Sequence, residues 1–267
     1  RWAGADVDHF INLEGSVETL TQSYRIPSTV HSLAERVVGR IRNRFPKKYQ
    51  PREETGVVRR INSVDELDMS HGTWLILSQA GYLLQPVQQD LKSSGYLFTY
   101  RNFRSISEKI SASVIGWEDL RKGRPITGAT ARKIYSFMSL KTRVLRGFKK
   151  LPSLDDEDMV TLQELQEHHG LVATEDMLWH EAMDKLPEQD RAYIIAMLRR
   201  GEKFTATPRI TVSTIHGAKG GEAENVVVFT DLSPAADQQM SLNPDDMHRT
   251  FYVAVTRSLQ NLYIVEP

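Results

Sequence analysis

The chain has 267 residues, in which 34 lysines and arginines balance 34 aspartates and glutamates, and it contains no cysteine. At 40% hydrophobic and 25% charged it has an ordinary globular composition, enough for one large domain or two smaller ones. Those totals exclude a disulfide framework, a thiol nucleophile and a thiolate metal site, and no apolar run approaches the roughly 20 residues that span a bilayer. Lack of cysteine fits a reducing compartment. The chain opens Arg1-Trp2-Ala3-Gly4-Ala5-Asp6 with neither an initiating methionine nor a leader-like stretch, so a fragment or processed product is expected.

Pro27 is placed to open a helix whose apolar positions Val30, Leu33, Ala34, Val37, Val38 and Ile41 recur at helical spacing. Trp74 to Leu77 reads as a buried strand, followed by a helix around Leu84 to Leu91 and a second strand at Tyr96 to Tyr100. Ala131, Ile134, Tyr135, Met138, Thr142 and Leu145 form one helical stripe. Thr174-Glu175-Asp176-Met177 resembles a helix start, and Pro187 to Arg200 reads as a helix closed by Gly201. Ile210 to Thr214 and Val226 to Phe229 are β-branched strands; a helix from about Asp245 to Ser258 and a strand at Leu262 to Val265 complete the pattern. Alternation of strands and helices predicts an α/β fold with a mostly parallel sheet covered on both faces. The middle, from about Ser111 to Ala206, predicts an all-helical insert of roughly 95 residues.

The neutral total conceals a strong polarity. Residues 101–150 hold thirteen basic side chains against Glu108, Glu118 and Asp119, a balance of +10, whereas 151–190 hold twelve acids against Lys185, a balance of −11. A block of this kind is either a solvated face or, when basic and interleaved with aromatics, a track for a phosphate backbone; Arg121 to Lys150 is the candidate stretch.

Four segments carry chemistry. Trp2, between Arg1 and Ala3, offers a flat ring on which a base can stack. In Leu20-Thr21-Gln22-Ser23-Tyr24-Arg25-Ile26-Pro27-Ser28 an aromatic ring and a planar guanidinium sit just before a helix, suited to a base and a phosphate respectively. Thr214-Ile215-His216-Gly217-Ala218-Lys219-Gly220-Gly221-Glu222 follows a strand; its glycines let backbone amides approach a ligand, and the spacing is not that of a Walker A loop. His248 to Arg257 reads as a helix with Phe251 and Val255 inward, on which Arg249 and Arg257 lie about two turns apart and can share one side. An arginine held at such a helix end is suited to stabilising a transferring phosphate.

In this order and spacing the segments resemble the later motifs of the UvrD/Rep/PcrA family of superfamily-one DNA helicases. Arg1 to Asp6 resembles the end of motif III, Leu20 to Ser28 motif IV, Thr214 to Glu222 motif V and Tyr252 to Arg257 motif VI. The resemblance covers roughly 1–45 and 209–267, and less clearly 73–104. It implies a RecA-like 2A motor domain, 1–110 with 206–267, interrupted by a 2B insertion at 111–205. It implies that Trp2, His216 and Lys219 face single-stranded DNA and that Tyr24 packs on adenine. Gly220 and Glu222 fall to the nucleotide, the acid near the ribose, and Arg25 and Arg257 are the catalytic arginines directed at the γ-phosphate. Three positions depart from the family pattern: Ala3 for the usual arginine, Ser23 for asparagine and Gly221 for leucine.

The resemblance further implies ATP with Mg2+, the metal ligands lying on a first RecA-like domain upstream that also carries the phosphate loop. Other implied partners are single-stranded DNA and single-strand/duplex junctions, with no membrane, and the implied setting is the cytoplasm of a bacterial or phage-infected cell. Unwinding would run 3′ to 5′, and the chain alone is expected to hydrolyse little ATP. A non-catalytic DNA- or protein-binding module and the motor part of a helicase–nuclease remain as alternatives.

Overall fold

The computed structural model of the chain describes residues 7–16 and 18–266. Along the chain run α1 (Val7–Ile11), α2 (Ser28–Val38), β1 (Val57–Ile61), β2 (Trp74–Ser78), α3 (Gln85–Ser93), β3 (Phe98–Tyr100) and β4 (Phe103–Arg104). Next come α4 (Glu108–Arg121), β5 (Ile126–Thr127), α5 (Gly128–Ser136), β6 (Met159–Val160), α6 (Leu162–His168), α7 (Trp179–Ala182) and α8 (Glu188–Arg200). The chain continues with β7 (Ile210–Thr214), β8 (Ala223–Phe229), α9 (Pro234–Leu242), α10 (Pro244–Val255) and β9 (Ser258–Val265). Two compact units result: one contains the residues up to 91, 96–103 and those from 207 on, the other 92–95 and 104–206.

The first unit is built on a seven-stranded sheet of order β1-β9-β8-β2-β7-β3-β4, in which β1 with β9, β9 with β8, β8 with β2, β2 with β7 and β7 with β3 all pair in parallel. Its central strands are apolar at successive positions because both faces are buried, the pattern expected of a covered parallel sheet. On one face Trp74, Ile76, Ile210, Val212 and Val227 pack with Leu84, Val87 and Leu91. On the other, Leu75, Leu77, Val226, Val228 and Leu262 pack with Val30 and Ala34 of α2 and with Ala254 and Val255 of α10. This is an α/β fold of RecA-like kind.

One connection places the site. Both β7 and β8 pair with β2, and Trp74 lies opposite Ile210 on one side and Asn225 on the other. After Thr214 the chain must therefore travel back along β2 before β8 can begin. It does so within 215–222, shorter than the dozen or more residues usual for a parallel crossover. Ile215 and Ala218 are buried in the α2/α10 face, and the turns are tied by Ile215 N–H to Ser78 O (2.9 Å), Ala218 N–H to Thr214 O (3.0 Å) and Gly221 N–H to Ala218 O (2.9 Å). Gly220 takes a left-handed φ of 89°, which a side chain would strain.

The second unit is helical apart from the short antiparallel ladder of β5 with β6. Side-chain oxygens of Ser107, Thr127 and Thr161 cap α4, α5 and α6, the last in a reciprocal capping box with Glu164. Gly201 ends α8 with φ 79°, as its sequence predicts. The expected stripe from Ala131 to Leu145 is shorter than its periodicity: α5 ends at Ser136, and Leu145 lies exposed. Ser139 there donates its N–H to Asp184 and the chain turns at Lys141, with φ 74°. Thr174 to Met177 forms a turn rather than a helix start, with the short α7 beginning after it.

Candidate functional site

Arg25 stands at the end of a segment fixed from both sides. Ser23 N–H donates to Gln50 O (2.8 Å), and the Ser23 hydroxyl accepts from Arg25 N–H (3.4 Å) and Ile26 N–H (3.3 Å). Ile26 is buried beneath it and Pro27 opens α2. Serine at 23 thus makes the turn that a short polar side chain is suited to make. Directly before Arg25, the Tyr24 ring is 85% exposed. It projects where a planar ligand could stack.

Arg257 follows the last turn of α10. Its Nε donates to Val253 O (3.1 Å) and its Nη1 to Gly221 O (3.3 Å), while Arg257 O accepts from Ala223 N–H (3.2 Å). The end of α10 and the end of the crossover are therefore stitched together. From that crossover the Glu222 carboxylate reaches Arg25, Oε2 to Nε at 2.7 Å, with the two side chains 40% and 46% exposed in the order Arg25, Glu222. Burial, then the nearby Arg25 charge, holds the Arg257 guanidinium below the usual arginine range, and Glu222 opposes that shift. Residues 25, 222 and 257, far apart in sequence, thus form one electrostatic cluster of two cations and one anion. Such a pair of planar forks suits polyphosphate oxygens.

His216, Lys219 and Gly220 are exposed along the crossover. A cleft of about 580 Å3 lies against it, lined among others by Arg101, Asn102, Thr211, Ser213, Thr214 and Glu222. Arg101 and Asn102 both adopt left-handed backbone, with φ 50° and 67°, and the Arg101 guanidinium lies over the Tyr100 ring at 5.2 Å. The sequence motifs do not include this wall; Asn102, a residue type that tolerates left-handed backbone, is the only local mark of the turn. Trp2 lies outside the described residues.

Arg249, which could have shared a side with Arg257, is a brace instead. It pairs with Asp246 (2.8 Å) and donates to Asn43 O (2.6 Å), next to Asp245, whose buried carboxylate accepts from Arg42 and Asn43 N–H. Gly56 is a further residue that motif reading passes over. With φ 67°, a Cβ there would lie 2.6 Å from Gln260 O and 2.6 Å from Cγ of Pro27, the residue two beyond Arg25.

The basic stretch Arg121 to Lys150 is partly neutralised within its own unit. Arg121 pairs with Glu118, Arg124 with Asp119, Arg132 with Asp156 and Lys133 with Glu108. Lys149 points inward and donates to the carbonyls of Tyr135, Ser136 and Met138 at the end of α5. Lys141, Arg146 and Lys150 are exposed and form no salt bridge among the described residues.

Residues 209–265 match the UvrD-like helicase C-terminal domain. No curated protein matches the chain. With the RecA-like sheet and the clustered motif residues, the match identifies a UvrD/Rep-like helicase C-terminal region in this protein. A domain of that kind suggests a helicase and implies nucleic acid binding in general. No helix among the described residues is long and apolar enough to cross a membrane.

Proposed function

We propose that the chain is the second motor domain of an ATP-dependent DNA helicase, 1–110 with 206–267, carrying a 2B-like insertion at 111–205. The observation that supports this most is the convergence of Arg25, Glu222 and Arg257 from three separate segments. ATP would lie between this surface and a phosphate-loop domain that also supplies the Mg2+ ligands. Tyr24 would stack on the adenine, Gly220 and Glu222 would approach the ribose, and Arg25 and Arg257 would meet the γ-phosphate as charge develops on it. ATP supplies the driving reaction; the role of this chain is to complete the site from across the cleft and to move with it.

Trp2, His216 and Lys219 would hold single-stranded DNA, and a strand passing the crossover would also meet Arg101 and the hydroxyls of Thr211 and Ser213. The crossover links the two surfaces, because one end of it is tied to Arg25 and Arg257 and its exposed turn carries His216 and Lys219. Translocation is proposed to run 3′ to 5′ in the cytoplasm of a bacterial or phage-infected cell, with exposed Lys141, Arg146 and Lys150 of the insertion contacting a single-strand/duplex junction. The test is removal of the Arg257 guanidinium, with turnover and DNA binding measured separately. Loss of turnover with retained binding supports the reading, and loss of neither overturns it.

A further inference from the structure

The Arg25–Glu222 pair joins a cation proposed to meet phosphate to an anion on the crossover. Its geometry is that of a good charge-assisted hydrogen bond, yet both partners are well exposed, a setting in which an ion pair is weak and readily exchanged. A phosphate oxygen offers the guanidinium the same kind of acceptor with more charge behind it. The Arg257 guanidinium nearby adds a second cation that one carboxylate does not neutralise. The segment behind Glu222 can yield, since Gly220 and Gly221 precede it and a Cβ at Gly220 would have nothing within 4 Å.

We propose that Glu222 is a positioning residue that competes with phosphate for Arg25, so that a polyphosphate displaces its carboxylate and releases the crossover bearing His216 and Lys219. The inference rests on the nucleotide-site reading of Arg25 and Arg257 and adds a switch to it. Phosphate entry exchanges one acceptor on Arg25 for another, and the freed carboxylate turns to solvent or to a ribose hydroxyl. Nucleotide at the arginines is thereby felt at the strand-facing turn without any change in the buried sheet.

The experiment uses inorganic tripolyphosphate, which has neither ribose nor base, titrated calorimetrically into the 267-residue protein beside ATP. Glu222→Gln removes the competing charge at an exposed position and should bind tripolyphosphate about two- to fivefold more tightly than the parent, the range expected for loss of one exposed ion pair. Arg25→Ala added to that variant should erase the gain. Hydrogen exchange at 216–221 should quicken when tripolyphosphate is added to the parent and should already be quick in Glu222→Gln. Unchanged tripolyphosphate affinity in Glu222→Gln, with ATP binding weakened, would assign Glu222 to the ribose alone and overturn the switch while leaving the nucleotide site intact. Tripolyphosphate binding that is absent, or indifferent to both Arg25→Ala and Arg257→Ala, would overturn the switch and the nucleotide-site reading together.

Discussion

Lys149 lies in the basic stretch that charge counting marks as a nucleic-acid track, but its ammonium is bound to the end of a helix. It donates to the Tyr135, Ser136 and Met138 carbonyls, which lie in the last turn of α5 and just beyond it, where backbone carbonyls point out of the helix end. Burial, chiefly, lowers its proton affinity, with Lys185 and Lys109 adding to that effect and Asp184 opposing it. Replacing Lys149 by methionine keeps the aliphatic stem and deletes the charge. A hydrogen bond from a charged donor contributes about 1.5–3 kcal/mol, and the favourable helix-end charge about 0.3–1 kcal/mol. Because burial of the ammonium offsets part of that gain, the variant should lose only about 1–2 kcal/mol of stability in its own unit. Urea unfolding followed by far-UV circular dichroism reads that loss. Below the transition, Lys149→Met should keep the parent's salt dependence of oligonucleotide binding. The triple change Lys141→Met, Arg146→Met and Lys150→Met should leave stability within about 0.5 kcal/mol of the parent and lower the salt slope by up to about 2, at roughly 0.7 for each phosphate that is no longer neutralised. A Lys149→Met protein of parental stability with a reduced salt slope would refute the assignment of Lys149 to the helix end.

Two further outcomes follow from the first unit. Gly56→Ala combines left-handed strain with a Cβ 2.6 Å from both Gln260 O and the Pro27 ring, so it should destabilise by about 2–5 kcal/mol in chemical denaturation, whereas Gly220→Ala, strained but in open space, should cost only about 1–2 kcal/mol; equal losses would show that the Pro27 contact is unimportant. His248 is buried, and its proton affinity is lowered by burial and by Arg40 against the opposing charge of Asp245, so the unfolded chain binds its proton more readily. That contribution to stability is present above the unfolded value near pH 6.5 and lost as pH falls below it, by at most about 1.4 kcal/mol per pH unit; unfolding titrations of His248→Gln should show a flatter dependence between pH 5 and 6.5, and an unchanged slope would remove His248 as the cause.

The central strands were legible because burial on both faces leaves an apolar run, as in Trp74 to Leu77 and Val226 to Val228, while Ile210 to Thr214 shows the alternation of a strand with one face open. Val57–Ile61 carried no such mark, since this edge strand pairs with β9 alone and accommodates Arg59 and Arg60 at exposed positions. Helix α4 was hidden for the opposite reason. Ile110, Ser113, Val114, Gly116, Trp117 and Leu120 are buried around much of its circumference, and Gly116 admits Thr130 of α5 so closely that a Cβ would lie 2.5 Å from it. Small residues there serve a close helix crossing and blur the amphipathic period. In the site, residue types and motif order pointed to Arg25, Glu222 and Arg257, but the direct Arg25–Glu222 bond depends on how far the crossover carries Glu222 back along β2, which no local pattern encodes. The local pair Arg121–Glu118 could be read from its spacing, whereas the pairing of Arg132 with Asp156 and the inward turn of Lys149 depend on the fold and were not visible.

The central claim, that this chain completes a nucleotide site shared with a phosphate-loop domain, is tested most directly by ATP hydrolysis in the protein that joins the two. Single-strand-stimulated turnover is compared between the parent and Arg257→Ala, with oligonucleotide affinity measured on the same samples. Removal of an arginine that stabilises the transferring phosphate should lower kcat by about a thousandfold or more while leaving DNA affinity within a few fold. Turnover that stays within a few fold of the parent, or DNA-stimulated hydrolysis by the 267-residue chain alone, would contradict the account.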